Sequence, residues 1–196
     1  MSAPVPKPPR AEKRPRVETW HGHEKRDDYH WLKAENWQEV MHDPSVLPQE
    51  IRAFLEGENA YHEAVMADTK ELQTQLFAEL KGRIKEDDSS VPAPEAAYDY
   101  YASYPRYCRK PRGEDGPEEL LLDGNALAKG RDYFRFGGMD LSPDHKLIAW
   151  TFDGNGSEFY ELRLRDTGTG HDMGDVLHNT AGDATWASAR NPGSAA

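Results

Sequence analysis

The hydrophobic period of this 196-residue chain changes near residue 90, from a recurrence about every four residues to an alternation of two. A helix returns a side chain to one face every 3.6 residues and a strand every second residue, so one continuous element type cannot serve both halves. The chain therefore reads as α+β by segments. A Pro-rich, basic tail at 1–16 precedes a helical extension at 17–90, an all-β meander at 91–187 and an irregular end at 188–196.

The tail holds Pro4, Pro6, Pro8, Pro9 and Pro15 among Lys7, Arg10, Lys13, Arg14 and Arg16. That composition favours extended, solvated backbone and predicts disorder, with an arm for an acidic partner as the alternative. From Val17 to Lys85 the expected state is helical. Leu47 and Pro48 open a long helix, with Pro where its missing N–H costs least. Ile51, Phe54, Leu55, Ala60, Ala64 and Val65 form a stripe that should face a core. Asp68 and Glu71 suggest a capping box for a second helix, on which Leu72, Leu76, Leu80 and Ile84 repeat every four residues.

The run Glu86 to Pro94 reads as a linker, and strands are expected after it. They are the aromatic run Tyr98 to Tyr104, Tyr107 to Lys110, Glu119 to Asp123, Tyr133 to Leu141, Lys146 to Phe152 and Glu158 to Arg165. Turns are placed at Ser142 to His145 and Asp153 to Gly156. On Lys146 to Phe152 both faces are apolar, which suits a strand between stacked sheets. Near-constant strand spacing indicates an all-β meander, and the doubly covered strand suits a propeller blade. A last strand begins at Thr185, Trp186 and Ala187 and is not completed, leaving an open edge.

Composition sets limits. Leu, Ile, Val and Phe are only 31 of 196 residues and the formal charge is −11, values typical of disordered chains. Aromatics at 10% oppose this, since each buries a large area, and the expectation is a folded but marginal chain. Excess negative charge repels phosphate, which argues against nucleic acid and anionic membrane as partners. No apolar run approaches a membrane span or a signal peptide, so the cytoplasm is the default. Cys108 alone cannot form an intrachain disulfide.

No residue qualifies as catalytic, cofactor-binding or metal-binding, and no cofactor is expected. Nucleophilic acyl transfer needs a Ser on a strained elbow, normally Gly-x-Ser-x-Gly, with a His base and an orienting acid. Gly154-Asn155-Gly156-Ser157-Glu158 lacks that pattern and sits between two strands, so Ser157 reads as a turn residue. His21 and His23 before Asp27 and Asp28 have metal-ligand chemistry but no further ligand, and a structural role is favoured. Asp153, Asn155 and Ser157 alternate as in a calcium loop, yet Leu164 stands at the twelfth position, where Glu is required. Glu86, Asp87 and Asp88 could attract basic side chains, though a solvated linker is the simpler reading.

Several motifs in one order resemble the amino-terminal region of prolyl oligopeptidase family serine peptidases, and most of all the oligopeptidase B branch, also called protease II. They are Asp27-Asp28-Tyr29 with Trp31-Leu32, Glu58-Asn59-Ala60-Tyr61 and Lys85 to Pro92. Next come Tyr107-Cys108-Arg109-Lys110, Glu119 to Asn125, Leu141-Ser142-Pro143-Asp144 and Gly156 to Tyr160. The resemblance covers about Ala11 to Ala187. It implies a helical extension, a seven-bladed propeller that gates access, and an α/β-hydrolase domain with a Ser, Asp and His triad. Only the extension and roughly two blades correspond to this sequence, so no position inherits a catalytic role and the chain alone is expected to be inactive. The implied partner is a short peptide cleaved after Lys or Arg. A non-catalytic module that adds a partner's strand to an open blade edge is the alternative.

Overall fold

The computed structural model describes residues 6–85, 88–103, 105–113 and 116–187. The expectations placed on residues 1–5, Glu86, Asp87, Tyr104 and 188–196 lie outside the described residues. The chain forms two compact units, Met1–Ile84 and Lys85–Ala196, where the sequence places the boundary at residue 90.

The first unit opens with a hairpin, not the helical structure expected from Val17 onward. Strands β1 (Arg16–Trp20) and β2 (His23–Asp27) pair antiparallel, Trp20 opposite His23 and Arg16 opposite Asp27. His21 (φ 52°) and Gly22 (φ 80°) make the two-residue turn with both φ positive, the form whose twist matches that of paired strands. The tail is fastened along its second half. Arg14 donates its backbone N–H to the Asp28 carbonyl, pairs with Glu12 and Glu50, and lies 4.5 Å over the Trp31 ring. Trp31 Nε1 donates to the Glu12 carbonyl at 2.9 Å.

Three helices follow, α1 (Trp37–His42), α2 (Gln49–Met66) and α3 (Lys70–Gly82). Pro48 takes the N-cap position of α2. Of the expected stripe on α2, Ile51 is buried and Phe54 meets Trp31 edge-on at 6.1 Å, whereas Leu55 and Val65 are exposed. The N-cap of α3 is Thr69, without a side-chain capping bond, so the Asp68 capping box does not form. The Leu72, Leu76, Leu80 and Ile84 face lies in solvent, Leu80 at 60% and Ile84 at 68% exposure.

The second unit is two four-stranded antiparallel sheets, each with its strands in sequence order. The first contains β3 (Ala93–Glu95), β4 (Tyr98–Ser103), β5 (Arg106–Pro111) and β6 (Glu119–Asp123). After the short helix α4 (Gly124–Ala128), whose N-cap Asp123 accepts from Ala126 N, comes the second sheet. It contains β7 (Arg135–Leu141), β8 (Leu147–Asp153), β9 (Tyr160–Asp166) and β10 (Asp172–Thr180). Leu121 and Leu122 from β6 pack with Ile148, Trp150 and Phe152 from β8, flanked by Tyr107, Phe134, Phe136 and Met139. Every residue of β8 from Ile148 to Asp153 is buried, so both its faces are covered. Such successive meanders, packed face to face, are propeller blades.

The expected strand at Thr185 to Ala187 is absent. Residues 181–187 instead cross back to β7, where Trp186 donates its backbone N–H to Asp140 Oδ2 and its Nε1 to the Asp140 carbonyl, both at 3.0 Å. Glycine makes this crossing possible. A Cβ on Gly137 would collide with Thr151 Oγ1, stand 2.5 Å from the Gly182 carbonyl and lie 2.9 Å from the Tyr160 ring.

Candidate functional site

The most organised polar cluster lies in the seam between the two blades. The turn joining β7 to β8 places His145 at φ 58°, a conformation unusual for a residue with a side chain. Its ring is held by β4, where Tyr100 Oη and His145 Nδ1 are 2.7 Å apart and the rings stack at 5.8 Å. From β5, Arg109 donates to the His145 carbonyl at 2.9 Å and to Glu119 Oε2 at 2.7 Å, and lies 4.2 Å over the Tyr98 ring. The guanidinium is thus buried with a carboxylate, a carbonyl and a π face around it. Burial works against its charge, but the bonds to Glu119 and Tyr100 prevail and raise its pKa.

A second cross-blade contact uses β9. Arg165 donates to Asp172 Oδ1 at 2.6 Å and to the Leu121 carbonyl at 3.3 Å, and Trp150 Nε1 donates to the same Asp172 oxygen at 3.2 Å. Both arrangements satisfy buried polar atoms while joining one sheet to the next, which is structural work.

The residues weighed from sequence have structural surroundings as well. Ser157 is buried, and its Oγ accepts from Phe159 N at 3.3 Å. Asp153, fully buried, accepts from Asn155 N and Gly156 N on Oδ1 and from Glu158 N on Oδ2, at 2.9–3.0 Å. Burial alone would raise its pKa, but the donors Asn155, Glu158, Gly156 and Ser157 together lower it. Those oxygens are committed to the turn, not aimed at a cation. His21 and His23 stand at the tip of the hairpin, Asp27 accepts from Tyr29 N, and Asp28 is paired with Arg26 and Lys13. Among the described residues no group of three or more His, Cys, Asp or Glu is placed to hold a metal ion. None of their helices is long and apolar enough to cross a membrane. Cys108 is buried, and burial with help from nearby Glu118 pushes its thiol up to about 11.

The seam cluster escapes sequence reasoning because its members come from three strands and a turn. Its one local signal is His145, at the turn position where a left-handed residue follows Ser142-Pro143-Asp144.

The two meanders and their seam define a propeller portion. Comparison makes the assignment specific. The sequence profile of the prolyl oligopeptidase N-terminal β-propeller domain matches residues 8–191, and the chain belongs to the prolyl oligopeptidase family. It is 35% identical to dipeptidyl aminopeptidase BI of Pseudoxanthomonas mexicana, over 91% of this chain and 27% of that protein. It is 28% identical to protease 2 of Moraxella lacunata, over 87% of this chain and 25% of that protein. Oligopeptidase B from Leishmania major superposes with a TM-score of 0.72 at 25% identity, over 92% of this chain and 27% of that one. Oligopeptidase B from Trypanosoma brucei, in its closed form with covalently bound antipain, gives 0.71 at 26% identity and the same coverage. The chain spans about a quarter of the length of the relatives it matches.

Proposed function

We propose that this chain is the propeller-side portion of a cytoplasmic serine endopeptidase that cleaves short peptides after Lys or Arg. A C-terminal α/β-hydrolase domain supplies the triad. The observation that carries this reading is the unbroken family match from residue 8 to 191, which takes in the helices and both blades together. The preference for Lys or Arg is what the resemblance to the oligopeptidase B branch implies, and likeness to two oligopeptidase B structures supports that branch. The exposed α3 face suits a surface that the hydrolase domain covers, as the family architecture implies.

The 196-residue chain is expected to leave a Lys or Arg ester unhydrolysed and to stay unlabelled by a fluorophosphonate, while the chain continued through a hydrolase domain does both. Inactivity of the continued product, or labelling of the 196-residue chain, overturns the proposal. The alternative of strand addition has less support at two of the four edge strands, because Pro94 lies in β3 and two register shifts interrupt β10, which makes these edges poor templates.

A further inference from the structure

A cleft of about 810 Å³ opens between the two blades, where residues 88–90 run beside the end of β4. Its wall is held in place. Ser90 N donates to the Ala102 carbonyl at 2.8 Å, Ala102 N donates to Ser90 Oγ at 2.9 Å, and Ser89 bridges to Ser103. Its floor is aromatic: the Tyr107 and Phe136 rings stack at 4.8 Å and 30°, with Phe134 beside them, all three half-buried.

Two features say what fits there. Asp88 is the one charged side chain among the lining residues; its Oδ1 accepts from Ser89 N at 3.0 Å and lies 3.9 Å from Lys85 Nζ across exposed surface, which leaves Oδ2 open. Several aromatic rings among the described residues carry guanidinium groups, so such pairing is a device this chain uses: Arg14 over Trp31, Arg109 over Tyr98, Arg131 over Phe152 and Arg165 over Trp150. Among the described residues no cation lies over Tyr107 or Phe136. A ring face attracts a cation, an aliphatic stem packs on the same face, and a carboxylate at the rim selects a positive head group over a neutral one.

We propose that this cleft binds the Lys or Arg side chain of a peptide, its stem along Tyr107 and Phe136 and its charge at Asp88. The choice of a peptide rests on the peptidase reading above; the choice of a cation rests on the cleft.

The test is an NMR titration of the 196-residue chain with acetyl-Gly-Arg-Gly-amide, its Lys counterpart and its Gln counterpart. The expected result is saturable shifts at Ser89, Tyr107 and Phe136 with the Arg and Lys peptides, and about fivefold weaker binding after Asp88→Asn or Phe136→Leu. Asp88 is exposed, so Asp88→Asn decides the matter even if Phe136→Leu lowers stability. Equal affinity for the Gln peptide, unchanged affinity in Asp88→Asn, or shifts confined to other residues would overturn the inference. Cleft binding by this chain, combined with inactivity of the hydrolase-containing product on Lys and Arg esters, would sink the peptidase reading and leave the cleft standing. The reverse pair of results would sink the cleft alone.

Discussion

Asp153 shows how much one carboxylate can organise. Its two oxygens collect the N–H groups of the turn that follows β8, and the residue is fully enclosed. Its folded pKa lies below the unfolded value of about 3.9, so the stabilisation is complete above that value and is lost as pH falls through the lower, folded one. Asp153→Asn should lower stability by about 1–3 kcal/mol at pH 7 and flatten the acid limb below about pH 4, measured by urea unfolding across pH. Some acid dependence will survive, because Asp28, Asp144 and Asp166 are also held low by hydrogen bonds. The sequence marks Asp153 to Gly156 as a turn, and the turn is there. It does not reveal that the carboxylate is the centre of that turn, because Asp-Gly-Asn-Gly is equally compatible with solvent-facing side chains.

Among the elements, β4 to β9 are legible because alternation and Gly or Pro punctuation agree there. The β1–β2 hairpin was legible in principle: His21-Gly22 separates two five-residue runs, and positive φ at both positions is what a two-residue hairpin turn asks for. Strand β10 carries Met173-Gly174-Asp175 and pairs on one side only, so neither propensity nor pattern announces it. Helix α3 is the reverse case, a correct period with an unburied result, since period reports which residues share a face and not what covers it. Leu76→Lys combined with Leu80→Lys should change the unfolding free energy of the 196-residue chain by no more than about 0.5 kcal/mol and reduce its self-association. Circular dichroism and sedimentation velocity together check this, and marked destabilisation would mean that the face is buried in solution.

At the scale of the whole molecule, the chain buries a small apolar set in the second unit, where Leu121, Leu122, Ile148, Trp150 and Phe152 form the one cluster seen among the described residues. Cys108 lies 1% exposed on β5, and its raised pKa keeps it as the unreactive thiol. Labelling with a thiol reagent at pH 8 should therefore be slow in the native chain, become fast in denaturant, and follow the same midpoint as Trp fluorescence. Rapid labelling under native conditions would show that the blades open without unfolding.

Parting the blades has a definite cost. Arg109 and Arg165 each reach from one sheet to a carbonyl of the other, so separation would strand two guanidinium groups in a dry crevice before water could rehydrate them. The pair should travel as a single rigid plate, and any breathing of a ring built from such plates would be displaced to a joint with cheaper fastenings.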